Sequence, residues 1–176
     1  IKLNIKFLNM IRIINLIPTL DIGGAEAMLL KLSENVDKKK FNILVVCIGK
    51  EGSLSKSFNS KNLKVLYLGM DNFPKIIIAI FKLKRIINDF KPDIIMTWLH
   101  FADFLGLIMK VLFPKLKIIW NLRCSTLSLS TVSLKNIILV KFLALFSKVP
   151  DLIIANSLSG IKAHKKIGYK NKNIIF

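Results

Sequence analysis

The segment Met10-Ile-Arg-Ile-Ile-Asn-Leu-Ile-Pro18, continuing Thr19-Leu-Asp-Ile-Gly23-Gly24-Ala-Glu26, holds the key to the architecture. Ile11–Ile17 is a continuous apolar run rich in β-branched residues, bounded by a proline. A run of that length and composition reads as a strand buried on both faces. Two glycines follow, and then Ala25–Val36, in which Ala27, Leu29, Leu30 and Leu32 are good helix formers. Strand, glycine turn, helix is the first unit of an α/β chain. Met10 reads as the natural start of that unit, so residues 1–9 are expected to be an N-terminal extension outside the sheet, with residues 10–176 forming one domain.

Working outward, the same alternation repeats. Asn42–Ile48, Lys64–Leu68, Asp93–Thr97, Lys117–Asn121 and Leu152–Asn156 read as strands two to six, and Ile174–Phe176 begins a seventh. Between them, Leu54–Ser60 is a short helix. Phe73, Ile76, Ile77, Ile80, Leu83, Ile87 and Phe90 recur at helical spacing. Phe101–Phe113, Leu134–Ser147 and Ser157–Ile167 complete the helices, with Pro92 and Pro114 as breakers and Gly168 placed to end the last one. Leu127–Ser133 is polar and serine-rich, a loop. Strands alternating with helices predict a Rossmann-like parallel sheet flanked by helices on both faces. Ligands of such sheets bind beyond the carboxyl ends of the strands. Attention therefore falls on the loops after strands one, four, five and six.

Composition bounds the function. Of 176 residues, 53% are hydrophobic and 22% charged, which marks a folded chain with a full core. Lys82 and Lys141 interrupt the longest apolar stretches, so none approaches the ~18–20 residues that span a bilayer. No small-residue cleavage site follows an apolar N-terminal core. A cytoplasmic protein with two reduced thiols, Cys47 and Cys124, is expected. His100 and His164 are too few and too far apart in the sequence to suggest a metal site. The charge, 28 − 10 = +18, comes from scattered lysines without an aromatic-interleaved nucleic-acid module. It points to anionic membrane or anionic substrate rather than to nucleic acid.

Four loops carry residues suited to chemistry. Gly23 and Gly24 let backbone N–H groups approach a ligand at a helix N-terminus, which favours a phosphate. Glu26 falls in the first helical turn, where a carboxylate is stabilised in any case. After strand four, His100 stands where a general base or a donor to sugar hydroxyls is useful. Asp103 either orients it or caps a helix, and Trp98 is either a stacking platform or core. After strand five, Arg123 is a natural phosphate or carboxylate ligand. After strand six, Asn156 or Ser157 caps the next helix, or Asn156 contacts ligand.

In this order the strings "IPTLDIGGAE" (17–26), "PDIIMTWLHFADFLG" (92–106), "WNLRC" (120–124), "PDLIIANSLSG" (150–160) and "HKKIGY" (164–169) resemble the acceptor-side, N-terminal domain of family 4 glycosyltransferases. The resemblance covers almost the whole chain from Met10. It implies one half of a GT-B enzyme, in which a C-terminal donor domain, in cis or in trans, holds most of the nucleotide sugar through a basic pair and an acidic motif that this chain lacks. It also implies sugar transfer, generally with retention, to a glycan acceptor of the cell envelope or on a lipid, often at the inner face of the cell membrane. The nucleotide sugar enters as substrate, and neither a tightly bound cofactor nor a metal is expected. The implied sites are His100 as catalytic residue, Gly23 and Gly24 toward the donor phosphate, and Glu26, Asp103, Arg123 and Asn156 toward acceptor or phosphate. One departure stands out: relatives read Tyr-His-Ala-Asp where this chain has His100-Phe101-Ala102-Asp103, so Phe101 occupies the family's histidine position. Other readings are an acceptor-binding half of a split transferase, and a non-catalytic basic protein that docks on anionic membrane or nucleic acid.

Overall fold

The structure is a computed structural model and describes residues 10–123, 133–170 and 173–176. The expectations for residues 1–9, for Cys124 and for the loop 127–132 fall outside the described residues.

Seven strands form one parallel sheet: β1 (Ile11–Ile17), β2 (Phe41–Cys47), β3 (Val65–Tyr67), β4 (Ile94–Trp98), β5 (Lys117–Leu122), β6 (Leu152–Ala155) and β7 (Ile174–Ile175). Their order is β3-β2-β1-β4-β5-β6-β7. The order reverses direction at β1 and β4, whose registers meet at Ile13–Ile94 through Leu16–Thr97. That junction is the topological switch point, where a crevice opens above the carboxyl ends of an open parallel sheet.

The helices are α1 (Gly24–Asn35), α2 (Ser55–Ser60), α3 (Ile76–Phe90, entered through a 3-10 turn at Phe73–Lys75), α4 (His100–Leu112), α5 (Leu134–Leu145) and α6 (Leu158–Ile167). Ala25 and Leu29 of α1 and Phe58 of α2 pack with Ile17, Val45, Cys47 and Trp98 on one sheet face. Leu83 of α3, Leu105 of α4 and Val140 and Leu143 of α5 pack with Leu16, Ile95, Ile118 and Trp120 on the other, joined by Ile161 of α6. The central strands are buried on both faces, as their unbroken apolar runs require. Gly106 permits a close approach of α4 to the sheet. A Cβ there would stand 2.7 Å from the Thr97 Cγ2, which outweighs the usual cost of glycine inside a helix.

The helix ends follow local chemistry. Ser133 and Ser157 cap α5 and α6 with their hydroxyls, the latter accepting from the Gly160 N–H at 2.9 Å. Gly168 ends α6 in the left-handed region at φ 113°. Cys47 is a buried free thiol, pushed up to about 11 by burial. Among the described residues, no helix is long and apolar enough to cross a membrane.

Candidate functional site

The turn after β1 brings the chain through Gly23, which is extended, into Gly24, the first residue of α1. The two glycines do different jobs. A Cβ at Gly23 would lie 2.3 Å from a Glu26 carboxylate oxygen, so the Glu26 side chain folds back against this residue and needs its bareness. A Cβ at Gly24 would meet nothing within 4 Å. Packing does not demand that glycine; the space beside it is open. That space is a cleft of about 560 Å³ bordered by Gly24, Ala25, Glu26, Met28, Leu99, Arg123 and Asn156. Three loops, after β1, β5 and β6, thus place four of the residues singled out from the sequence on one rim. Gly23→Ala should displace only the mobile end of Glu26, leaving the unfolding midpoint nearly unchanged while shifting the Glu26 carboxyl resonance; Gly24→Ala should leave that resonance in place. Side-chain NMR of the two variants checks this.

Arg123 is the cation of the cleft. Its guanidinium carbon lies 4.7 Å from the centre of the Trp98 ring, a cation–π contact. Its Nε is buried without a hydrogen-bond partner among the described residues, and no described carboxylate pairs with it. Burial lowers its pKa from the ordinary arginine value. An arginine with unspent donors beside a helix N-terminus is built to take an oxyanion. Trp98 is core, not a stacking platform: it is fully buried and its Nε1–H donates to the Asn15 Oδ1 at 2.9 Å. That bond fixes the surface on which Arg123 rests. Because Ser157 supplies the α6 cap, Asn156 is released from capping and its exposed side chain borders the cleft.

The turn from β4 to α4 is sharp. Leu99, at φ 70° and ψ 157°, occupies a region that residues with a Cβ rarely enter, at a cost of about 1–3 kcal/mol. The helix consequently begins at His100, one residue earlier than its apolar pattern indicates. His100 therefore stands on the first turn of α4 rather than at a strand end, and its ring is directed to α6. Its Nε2 is 3.0 Å from the Nε2 of His164. It is not among the residues bordering the cleft. Burial, then the neighbouring His164, lowers the His100 pKa to about 4. Phe101, at the family's histidine position, packs against the core and stacks on Phe104.

Asp103 is also relocated. It is wholly buried and accepts a hydrogen bond from the Thr97 hydroxyl, while its Oδ2 has no partner among the described residues. Burial holds its carboxyl well above the usual range. It neither caps α4 nor reaches the cleft. His164 was not singled out from the sequence, although the fold sets it against His100. Sequence separation concealed a contact that the fold makes direct, and the histidine in "HKKIGY" was the available signal.

With this geometry in place, the family is settled by comparison. The family model described as Glycosyltransferase Family 4 matches residues 22–175, and the chain belongs to that family. No curated protein matches it by sequence. Among solved structures, it is similar to Anabaena Alr3699/HepE in complex with UDP, at 18% identity and a TM-score of 0.75, over 94% of this chain and 43% of that one. It is similar to the lipopolysaccharide outer core galactosyltransferase WaaB, at 13% identity and 0.65, over 94% and 45%. It is similar too to UDP-N-acetylglucosamine 2-epimerase from Rickettsia bellii, at 16% and 0.62, over 94% and 44%. The chain spans less than half the length of each. It has the fold of one half of a GT-B glycosyltransferase.

Proposed function

We propose that the chain is the acceptor-side half of a glycosyltransferase that passes a sugar from a nucleotide-sugar donor to a cell-envelope or lipid-linked glycan. One observation carries the reading: the N-terminus of α1, Glu26, Arg123 and Asn156 converge on a single open cleft at the carboxyl edge of the sheet. The open side of Gly24 and the unspent donors of Arg123 suit a phosphate, and Glu26 and Asn156 suit hydroxyls. UDP bound to HepE supports a nucleotide-sugar donor. A donor half, in cis or in trans, supplies the other wall, and transfer proceeds with retention. No tightly bound cofactor or metal enters this reading.

Transition-state charge on the departing diphosphate needs preorganised positive groups on both sides, and this chain offers one. Purified 1–176 should transfer no labelled sugar from UDP-sugars to an acceptor above background, and should do so once joined to, or mixed with, its donor half. Transfer by 1–176 alone would refute the half-enzyme reading. Failure with the donor half present would favour a non-catalytic binding protein.

The reading extends to the membrane surface through α5. Along that helix and the turn after it, apolar residues facing away from the core remain exposed: Ile138 at 61%, Leu145 at 79%, with Leu134, Phe142 and Val149. Lys135, Lys141 and Lys148 lie among them and no acidic residue does. An apolar stripe edged with lysine suits the headgroup region of an anionic bilayer. Combining Ile138→Glu with Leu145→Glu should weaken pelleting with phosphatidylglycerol-containing vesicles about tenfold. Leu32→Glu, on the opposite helix layer, should not.

A further inference from the structure

His100 and His164 are the only histidines of the chain. Their ring nitrogens form a chain of contacts with one fixed end. The Nδ1 of His164 lies 2.8 Å from the carbonyl oxygen of Gly160. A carbonyl only accepts, so Nδ1 carries the proton. In a neutral ring the other nitrogen, Nε2, is then a bare acceptor. That acceptor faces the Nε2 of His100 at 3.0 Å, so the His100 Nε2 must carry the proton it donates. Its own lone pair is thereby left at Nδ1.

The surroundings keep both rings neutral. His164 has no solvent exposure, and burial lowers the pKa of each ring. Tyr169 presses edge-on against His164 at 4.9 Å. Asp103 is the buried acid of this region; its carboxyl hydrogen-bonds with the Thr97 hydroxyl rather than with either ring, and burial raises its pKa, which favours the neutral acid. With one proton per ring, the Gly160 carbonyl determines both tautomers.

We propose that His164 is a positioning residue for His100: it locks His100 in the Nε2–H tautomer. His100 thereby keeps one free function, acceptance of a hydrogen bond or proton at Nδ1. Donation to a sugar hydroxyl is closed to the neutral ring, because its one N–H is committed to α6. A contact with an acceptor hydroxyl, if the transferase reading holds, is a base's contact through Nδ1. The tautomers themselves do not rest on that reading.

The test uses 1–176 labelled with ¹⁵N-histidine and long-range ¹H–¹⁵N correlation at pH 6.5. Two ring systems are expected, assigned by His100→Gln: His100 protonated at Nε2 and bare at Nδ1, His164 the reverse. In His164→Phe the His100 signals should move toward tautomer averaging, and its titration midpoint should rise toward that of an ordinary histidine. A bare Nε2 on His100, a doubly protonated ring at pH 6.5, or a His100 spectrum unmoved by His164→Phe would overturn the proposal. Should His164→Phe not fold, the wild-type spectrum alone decides. Sugar transfer lost or present leaves the tautomer assignment standing, so the two claims fail separately.

Discussion

In the completed enzyme, Arg123→Met should lower turnover at least a hundredfold, about 2.7 kcal/mol in barrier, with the fold intact. Removing one preorganised donor to a developing oxyanion typically costs about 10²–10³ in rate. Arg123 is suited to that role, because its guanidinium is held on Trp98 and its Nε has no partner among the described residues. Methionine keeps the stem that covers Trp98 and deletes the charge. Arg123→Lys should recover only part of the loss, since an ammonium neither stacks on the indole as a planar group nor offers a fork to a phosphate. Steady-state kinetics of the two variants, with circular dichroism for the fold, decide the matter. A Met variant of normal turnover would remove Arg123 from the chemistry.

The second large effect concerns stability and pH. His100 and His164 are neutral in the fold, whereas an unfolded histidine takes a proton near pH ~6.5. Below that pH the unfolded chain binds protons the folded chain refuses. Stability should fall as pH drops from 6.5 toward about 4, where His100 itself titrates. The slope is up to ~1.4 kcal/mol per pH unit for each histidine. Asp103 acts with the opposite sign. Its folded pKa is raised, so above the ordinary carboxyl range the unfolded chain has released a proton the folded chain keeps. Its contribution declines as pH rises, until the buried carboxyl ionises. Just below pH 6.5 two histidines oppose one aspartate, and the net slope is a loss toward acid. Asp103→Asn should steepen that acid limb, because it removes the contribution of opposite sign. A wild-type urea midpoint that does not fall between pH 6.5 and 4.5 would contradict this account.

Much of the fold was readable because its signals are local. Ile11–Ile17 occupies the bounds its apolar run indicates, and the remaining strands lie within the predicted runs or shift from them by a residue or two at their ends. Ser157 and Gly168 stand where their chemistry puts them, as cap and stop of α6. The rim of Gly24, Glu26, Arg123 and Asn156 followed from one topological rule about strand carboxyl ends. What the sequence concealed depended on angle and on distance along the chain. The left-handed turn at Leu99 starts α4 a residue early, which turns His100 to α6 and Asp103 inward to Thr97. Asp103 does share the buried side of α4 with Ala102 and Gly106, so its helical phase held a warning against a cleft role. No local pattern announces the contact between His100 and His164, which are 64 residues apart. Only the fold, which brings the first turn of α4 to the last turns of α6, produces it.

The claim at the centre is that the carboxyl-edge cleft receives a phosphorylated ligand. It is tested most directly by titrating ¹⁵N-labelled 1–176 with UDP and following the backbone amides. Shifts should gather on Gly24, Ala25, Arg123 and Asn156, weaken with added salt, and shrink at least tenfold in apparent affinity in Arg123→Met. Shifts confined to the opposite edge of the sheet, around Lys91, Lys115 and Lys117, or a rim response indifferent to Arg123→Met, would contradict it.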